Sequence, residues 1–155
     1  MEEKQRTELL QKYRSGHQAV VDAVANMREE ELDHSPGDGD WTPRQIVHHI
    51  ADSEMTSAIR LRKLVAEDNP TIEGYDEKVF ADSLTRDRPI EPSLNAVRWA
   101  RESTLQILER LTEDEWKKAG THTELGPYSV ERWLEVYANH CHDHASQIKK
   151  ARGVE

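Results

Sequence analysis

Four long segments of the sequence repeat apolar residues at intervals of three and four, which is the spacing of one face of an α-helix. Turn-rich stretches such as HSPGDGD at 34–40 separate these segments and cannot continue a helix. No segment reads clearly as a strand, and 155 residues suffice for one domain with its own core. We therefore predict a single all-α domain, residues 1–155, built as a four-helix bundle.

Capping signals predict where the helices begin and end. The first helix is expected over residues 3–32. Thr42, with Pro43 after it and Gln45 closing a capping box, starts the second helix, which runs to residue 69. The third helix follows Pro92 and Ser93, and Thr112 starts a short helix. The residues GTHTELGPYS, 120–129, are expected to form a loop. Ser129 caps the last helix, which Gly153 ends.

The segment between the second and third helices is long for a compact domain. It contains three prolines and a glycine over residues 69–93, with a helical turn expected around DEKVF at 76–80. Connections of this length often line a functional cleft. We therefore predict one long crossover, in which Tyr75 and Asp76 form a wall or lid of a pocket; an ordinary surface loop is the alternative.

The charge and the cysteine usage limit the classes of function. A net charge of −9 disfavours nucleic acid as a partner, because phosphate binding requires a concentrated basic surface. No apolar run approaches membrane-spanning length, and the first residues show no signal-peptide pattern. One cysteine, Cys141, cannot form an intramolecular disulfide. A cytoplasmic protein that binds neither membranes nor nucleic acid is therefore expected.

The stretch YANHCHDHASQI, 137–148, holds three histidines at alternate positions. On a helical wheel His140 and His144 lie about 40° apart at the edge of the apolar arc, whereas His142 falls on the solvent side. Two histidines four residues apart suit adjacent positions around one metal ion. The residue after His140 is not glutamate, so the H-E-x-x-H protease signature is absent.

A metal site with an open position needs a third ligand from another helix. The second helix offers His49, which flanks its buried stripe, whereas His48 is expected to point away from that stripe. His49, His140 and His144 would together form a facial site of three nitrogens. The alternative is that these histidines merely edge the core and form ordinary hydrogen bonds.

Several neighbouring residues admit two interpretations. Asp52 and Asp143 either orient a metal-bound imidazole or are plain surface carboxylates. Gln147 either lines the site or is an ordinary helix-face glutamine. Cys141 points into the apolar arc, where a small buried hydrophobe is the commoner role than a ligand or nucleophile. The tryptophans are interpreted as residues that anchor the packing of the core: Trp41, Trp99, Trp116 and Trp133. Three further histidines have no partner at a suitable spacing and are treated as incidental: His17, His34 and His122.

Three motifs resemble one known family. WTPRQIVHHIADSE resembles the second-helix signature of the DinB superfamily, and HCHDHASQI resembles its last-helix signature, H-x-x-x-H followed by glutamine and an aliphatic residue. The connection AEDNPTIEGYDE is similar to the YfiT branch, whose members are described as metal-dependent hydrolases. The resemblance extends from about Trp41 to Ile148, over most of the chain.

This resemblance implies a bundle in which three histidines, here His49, His140 and His144, hold a divalent ion, usually zinc or nickel. The superfamily also contains thiol transferases, which join small thiols such as bacillithiol or mycothiol to electrophiles, and homodimers are common in it. We therefore expect a metal-dependent small-thiol S-transferase or hydrolase, acting as a homodimer on a thiol and an electrophilic substrate.

Two other classes of function stay open. One is a non-enzymatic, stress-related bundle that serves as a binding or dimerisation module, with a structural metal or none. A structural zinc usually has four protein ligands, and Cys141 would have to be the fourth. The other is a DNA-binding stress protein, which the net charge disfavours.

Overall fold

The computed structural model describes residues 1–152, and within them it contains seven helices and three short strands. In chain order these are α1 (Glu3–Val24), α2 (Glu29–Leu32), α3 (Pro43–Ala66), β1 (Thr71–Ile72), α4 (Glu77–Leu84), α5 (Glu91–Leu108), α6 (Glu113–Trp116), β2 (Ala119–His122), β3 (Gly126–Ser129) and α7 (Val130–Ala151). Among the helices of residues 1–152, none is long and apolar enough to cross a membrane. The helix end predicted at Gly153 lies outside the described residues.

The predicted capping signals act where the helices begin. The Thr42 hydroxyl accepts a hydrogen bond from the backbone N–H of Gln45 at 3.2 Å, and the Gln45 side chain accepts one from the Thr42 N–H at 3.0 Å. Ser129 caps α7 in the same way, through the N–H of Arg132 at 3.0 Å. These bonds satisfy N–H groups that have no partner inside the helix, and so they fix the residues at which α3 and α7 begin.

α3 and α5 run in the same direction, as two contacts at their opposite ends indicate. His48, near the start of α3, contacts Ser93 near the start of α5, and Arg62 donates to Ser103 near the ends of both helices. A short loop cannot join parallel neighbours, so residues 67–90 must return along the bundle. The predicted four-helix bundle with one long crossover is thereby confirmed.

α1 and α7 form the other parallel pair. Lys12 contacts Asn139 in the middle of the helices, and Arg152 donates to the carbonyl of Ala23 beyond their far end. The two pairs are antiparallel to each other, because the start of α3 lies against the end of α7. This arrangement places the first two turns of α3, which include His49, beside the last turns of α7.

The predicted end of the first helix, the predicted loop at 120–129 and the prediction of no strand are wrong. The first helix ends at Val24 instead of residue 32, because Asn26 adopts a left-handed backbone with φ of 59°. The expected loop at 120–129 is largely a β-hairpin, in which β2 pairs antiparallel with β3. The crossover adds a third strand, since β1 pairs parallel with β2. Short strands of two to four residues carry too little alternation to be recognised in the sequence.

The core has two apolar clusters along the bundle axis. One surrounds Trp133 and lies toward the small sheet, and the other surrounds Ile50 and includes Cys141. Between them Glu54 and Arg101 are buried as an ion pair, at 0% and 2% exposure of their side chains. Of the tryptophans predicted as packing anchors, Trp99 is not one, because it is 58% exposed on α5.

Candidate metal centre

The antiparallel crossing of α3 and α7 brings His49, His140 and His144 together. The ring centroids of His140 and His144 lie 4.6 Å apart, as expected for two residues separated by one helical turn. The ring of His49 lies 5.3 Å from that of His140 and 4.8 Å from that of His144. Each ring offers one nitrogen, and these three atoms lie within 4.8 Å of one another.

Burial keeps two of these imidazoles neutral. Desolvation, and then the neighbouring His144 and His140, lower the pKa of His49 to about 3. Desolvation and then His140 lower the pKa of His144 to about 4. Neutral imidazole carries the lone pair that a metal ion requires. At neutral pH both rings are therefore in the state that can bind a metal.

A hydrogen bond assigns the tautomer of one of the three rings, whereas no hydrogen bond assigns the tautomers of the other two. Nδ1 of His144 donates to Oε1 of Gln147 at 2.8 Å, so its lone pair is on Nε2. Nδ1 of His49 and Nδ1 of His140 are buried with no hydrogen-bond partner in residues 1–152. Buried polar nitrogens without partners are uncommon in folded proteins and indicate a group that a ligand or an ion completes.

A buried carboxylate lies directly behind the site. Oε1 of Glu54 is 3.8 Å from Nδ1 of His140 and accepts a hydrogen bond from Nη2 of Arg101 at 2.7 Å. Arg101 also donates to the backbone carbonyls of Tyr13 and Tyr137, which holds the ion pair in position. Burial on its own would raise the pKa of Glu54, but the Arg101 charge and then His140 lower it, so the group is ionised.

Cys141 belongs to the same buried layer and not to the histidine group. Its Sγ donates to Oε1 of Glu54 at 3.6 Å, and burial raises the pKa of the thiol well above its usual value. Glu54, His140 and Cys141 are close enough to form a second donor set. Arg101 already neutralises Glu54, however, so we interpret this set as a hydrogen-bonded ion pair. Cys141 is thus buried as predicted, with a polar contact that the sequence did not indicate.

Sequence reasoning missed both Glu54 and Arg101, although a signal was present. Glu54 lies in the buried stripe of α3 between Ile50 and Leu61. Arg101 lies equally in the stripe of α5, one turn after Val97. A charged residue in the middle of an apolar stripe is almost never fully buried unless it is paired. A negative charge in the apolar stripe of α3 and a positive charge in that of α5 therefore indicate that Glu54 and Arg101 pair with each other.

The two remaining neighbouring histidines differ from each other. His142 is separate from the three-histidine group, as predicted, but it is half-buried against α1 and not on the solvent side. Its Nε2 contacts the carbonyl of Lys12 at 3.0 Å. The prediction that His48 points away from the buried side of its helix is wrong, because its exposure is 1%. Its Nδ1 lies 2.7 Å from the hydroxyl of Ser93. A second buried face of α3, packed against α5, accounts for the difference.

Other side chains form the surroundings of the three rings. The indole of Trp41 packs on the ring of His49 at a centroid distance of 4.8 Å. Glu77, at the start of the crossover helix α4, places Oε2 4.0 Å from Nε2 of His49. Asp52 is half-buried and its Oδ2 has no partner in residues 1–152, whereas Asp143 is exposed. The crossover thus reaches the same face of the bundle as the histidines.

Comparison with known proteins identifies the family. Residues 12–148 match the sequence model of the DinB superfamily. A protein of Oceanobacillus iheyensis named "Putative metal-dependent hydrolase" is 35% identical over 129 residues, which cover 83% of this chain and 75% of the relative. A protein of Bacillus cereus with the same name is 31% identical over 133 residues, which cover 86% of this chain and 77% of the relative.

A solved structure matches the whole fold. YfiT from Bacillus subtilis, described as a probable metal-dependent hydrolase with an unusual four-helix bundle topology, superposes with a TM-score of 0.89 at 27% identity. The match covers 100% of this chain and 91% of YfiT. With a family match over most of its length, relatives above 30% identity and a shared bundle, this chain belongs to the DinB superfamily.

Proposed function

We propose that this protein is a metal-dependent enzyme in which His49, His140 and His144 hold one divalent ion, zinc or nickel. The observation that carries the proposal is the convergence of three ring nitrogens within 4.8 Å at a helix crossing. Three imidazoles on a rigid pair of helices form a donor set that suits both ions. The names of the relatives, which refer to metal-dependent hydrolases, support the dependence on a metal.

The donor set favours a catalytic ion over a structural one. Within residues 1–152 no fourth His, Cys, Asp or Glu joins the three histidines in one group. A structural zinc is usually enclosed by four protein ligands, whereas a catalytic zinc has three and an open position. Cys141, the fourth ligand that a structural site would require, instead contacts Glu54. This contact counts against the alternative of a non-enzymatic binding or dimerisation module.

The chain itself prepares the ligands. Gln147 accepts the Nδ1 proton of His144 and so directs the Nε2 lone pair outward. Glu54 faces Nδ1 of His140 and favours a proton on that atom, which leaves Nε2 of His140 as the ligand atom. The indole of Trp41 packs on the ring of His49 and so restricts its movement. Each ligand thus has one neighbour that limits its rotation.

The reaction is activation of a small nucleophile. His49, His140 and His144 would hold the ion, and a divalent ion bound there would lower the pKa of water or of a thiol and so supply a nucleophile at neutral pH. With water the protein would be a hydrolase. With a low-molecular-weight thiol such as bacillithiol it would be an S-transferase that acts on an electrophilic substrate. We further propose that it works in the cytoplasm as a homodimer, whose mass in solution is measured by light scattering.

Elemental analysis tests the proposal most directly. The protein should be expressed without a histidine tag and purified without chelators, and it should then contain about one zinc or nickel ion per chain. Assays of thiol conjugation and of ester or amide hydrolysis with the loaded protein then separate the two reactions. A metal-free protein that also fails to bind added zinc or nickel would contradict the proposal and favour the binding module.

A further inference from the structure

A cavity of about 500 Å³ lies beside the candidate metal centre, between the crossover, the β-hairpin and α7. Two of its lining residues also touch the centre. Glu77 approaches His49, and the ring of Tyr137 packs edge-on against that of His140 at 5.8 Å. Tyr75 lines the cavity from the crossover, as the sequence predicted. A molecule in the cavity would therefore lie next to the three histidines.

The cavity holds a partly buried arginine that has no carboxylate partner. Arg60 donates from Nη1 to the hydroxyl of Tyr137 at 3.1 Å and from Nη2 to the carbonyl of Glu73. Its Nε is buried and has no hydrogen-bond partner in residues 1–152. Arg60 also takes part in none of the ion pairs that the arginines of this part of the chain form. A buried N–H of a charged group that lacks an acceptor is costly. Arg60 thus presents both an unmet donor and an unpaired positive charge.

Two further side chains supply hydrogen-bond donors to the same cavity. The hydroxyl of Tyr75 is buried and has no hydrogen-bond partner among residues 1–152. His122, treated as incidental in the sequence, is only 4% exposed and lines the cavity. Its Nδ1 accepts the backbone N–H of Glu124 at 3.2 Å, so the neutral ring carries its proton on Nε2. Arg60, Tyr75 and His122 all line one space with donors to offer.

The acidic residues around the cavity lie at its mouth. Asp76, Glu77 and Glu124 line it as well, but all three are exposed. The Asp76 carboxylate already accepts the backbone N–H of Val79 at 2.9 Å as the cap of α4. Exposed charges are screened by water and salt, whereas the partly buried Arg60 is screened less. The positive charge of the cavity is therefore half-buried, whereas its negative charges are exposed to solvent.

We propose that this cavity binds the carboxylate group of a small substrate, with Arg60 as the charged partner and Tyr75 and His122 as neutral donors. The rings of Tyr128 and Tyr137 provide an apolar wall for the body of that substrate. The carboxylate end would be anchored there, and the rest of the molecule would extend toward the three histidines. The role in substrate positioning rests on the proposed function, whereas the carboxylate site itself does not need the metal.

Three probes of similar shape test the proposal. The carboxylate 3-phenylpropionate, the neutral 3-phenylpropanamide and the cationic 3-phenylpropylamine should be titrated into the protein with and without added zinc, because a bound zinc could itself attract a carboxylate. The Arg60 Nε–H resonance should be followed by NMR. A charge-assisted hydrogen bond is about twice as strong as a neutral one, so the carboxylate should bind about tenfold more tightly than the amide. Equal binding of carboxylate and amide, or tightest binding of the amine, would overturn the proposal.

Matched variants test whether Arg60 and Tyr75 are the residues that bind the carboxylate. R60Q should weaken 3-phenylpropionate about tenfold, whereas R62Q, on the same helix but bonded to Ser103, should leave its affinity unchanged. Y75F is the safest variant for folding, because it removes a hydroxyl that has no partner in residues 1–152. It should weaken the carboxylate severalfold without lowering the melting temperature. Unchanged affinity in both R60Q and Y75F would contradict the assignment.

The same titration on H144A separates this proposal from the metal-dependent function. H144A should lose zinc and yet bind 3-phenylpropionate as the unaltered protein does. If the unaltered protein binds the carboxylate but never zinc, the carboxylate site stands and the proposed function fails. If it binds zinc but shows no preference for the carboxylate, the proposed function stands and the carboxylate site is refuted.

Discussion

The carboxylate of Glu54 and the imidazole of His140 face each other inside the bundle, with Oε1 and Nδ1 3.8 Å apart. Glu54 Oε2 and His140 Nδ1 both lack a hydrogen-bond partner within residues 1–152. The other oxygen of Glu54 is held by Arg101, which is itself fixed by two backbone carbonyls. The ion pair is therefore held in place directly behind His140, and it lies between the candidate metal centre and the core.

Removing Glu54 should weaken metal binding through His140. We expect Glu54→Gln to lower zinc affinity by about 10- to 100-fold, the usual effect of losing the group that orients a metal-bound histidine. The substitution also leaves Arg101 buried without its counter-charge, which should cost about 3–5 kcal/mol of unfolding free energy. Both quantities are measured on one sample, by competition with a zinc indicator and by urea unfolding.

Cys141→Ala is the control for Glu54→Gln, because it removes a different contact of the same carboxylate. It should retain the zinc affinity of the unaltered protein and lose only about 1 kcal/mol of unfolding free energy, for the cavity that it leaves. Unaltered zinc affinity in folded Glu54→Gln protein would show that Glu54 does not position His140. A large loss in Cys141→Ala would instead make the thiol a ligand.

Each of the three site histidines should be necessary for metal retention. Alanine at His49, His140 or His144 should reduce metal content from about one ion per chain to near zero, because two imidazoles alone hold the ion weakly. His142→Ala is the matched control on the same helix, since His142 contacts α1 instead. Loss of metal from His142→Ala protein, measured by elemental analysis, would refute the assignment of ligands.

His48→Ala should separate stability from metal binding. His48 is buried and contacts the hydroxyl of Ser93, so its removal leaves a cavity and an unpaired hydroxyl. We expect a loss of about 1–3 kcal/mol of unfolding free energy, with the metal content unchanged. Urea unfolding and elemental analysis give the two values, and metal loss without destabilisation would contradict the prediction.

The stability of the metal-free protein should rise with pH across the range in which free histidine titrates. Burial holds the pKa of His49 at about 3 and that of His144 at about 4, whereas in the unfolded chain both lie at about 6.5. Between these values the unfolded chain binds more protons, so acidification favours unfolding. The contribution of the two histidines to the unfolding free energy is therefore complete above about pH 6.5, and it declines as the pH falls toward about 4.

Urea unfolding in the presence of a chelator measures this dependence at several pH values. The unfolding free energy should decline on acidification by at most about 1.4 kcal/mol per pH unit for each histidine. His49→Gln should show a smaller slope than the unaltered protein, because it removes one of the titrating groups. Identical slopes for the two proteins would mean that His49 is not kept neutral by burial.

Gly16→Ala should destabilise the protein although alanine favours helices. A Cβ at this position of α1 would lie 2.9 Å from the Cβ of Cys141 and closer still to Nη1 of Arg101. Alanine gains about 1 kcal/mol of helix propensity over glycine, but overpacking a rigid core costs about 1–3 kcal/mol. We expect a net loss in urea unfolding, with exposed Gln11→Ala as the control, and a net gain would show that the Arg101 layer is able to shift.

Much of the bundle could be predicted from local patterns. Thr42 and Ser129 act as the predicted caps, and the i, i+4 spacing alone puts His140 and His144 on one edge of α7. These features depend on neighbours within a few residues, where sequence distance and spatial distance agree. The three-residue grouping with His49 was also expected, from its position at the edge of an apolar stripe, and its role as a ligand remains a prediction.

Features that depend on distant residues were decided by the tertiary structure. The burial of His48 requires α5 to cover a second face of α3, and pairing of Ile72 with His122 requires the crossover to return to the hairpin. The ion pair of Glu54 and Arg101 joins positions that are 47 residues apart. The sequence by itself determined where α3 and α7 begin and which edge of α7 carries the pair His140 and His144. Only the packing of those helices decided which buried charges and donors meet, because desolvation and pairing depend on what lies across the interface.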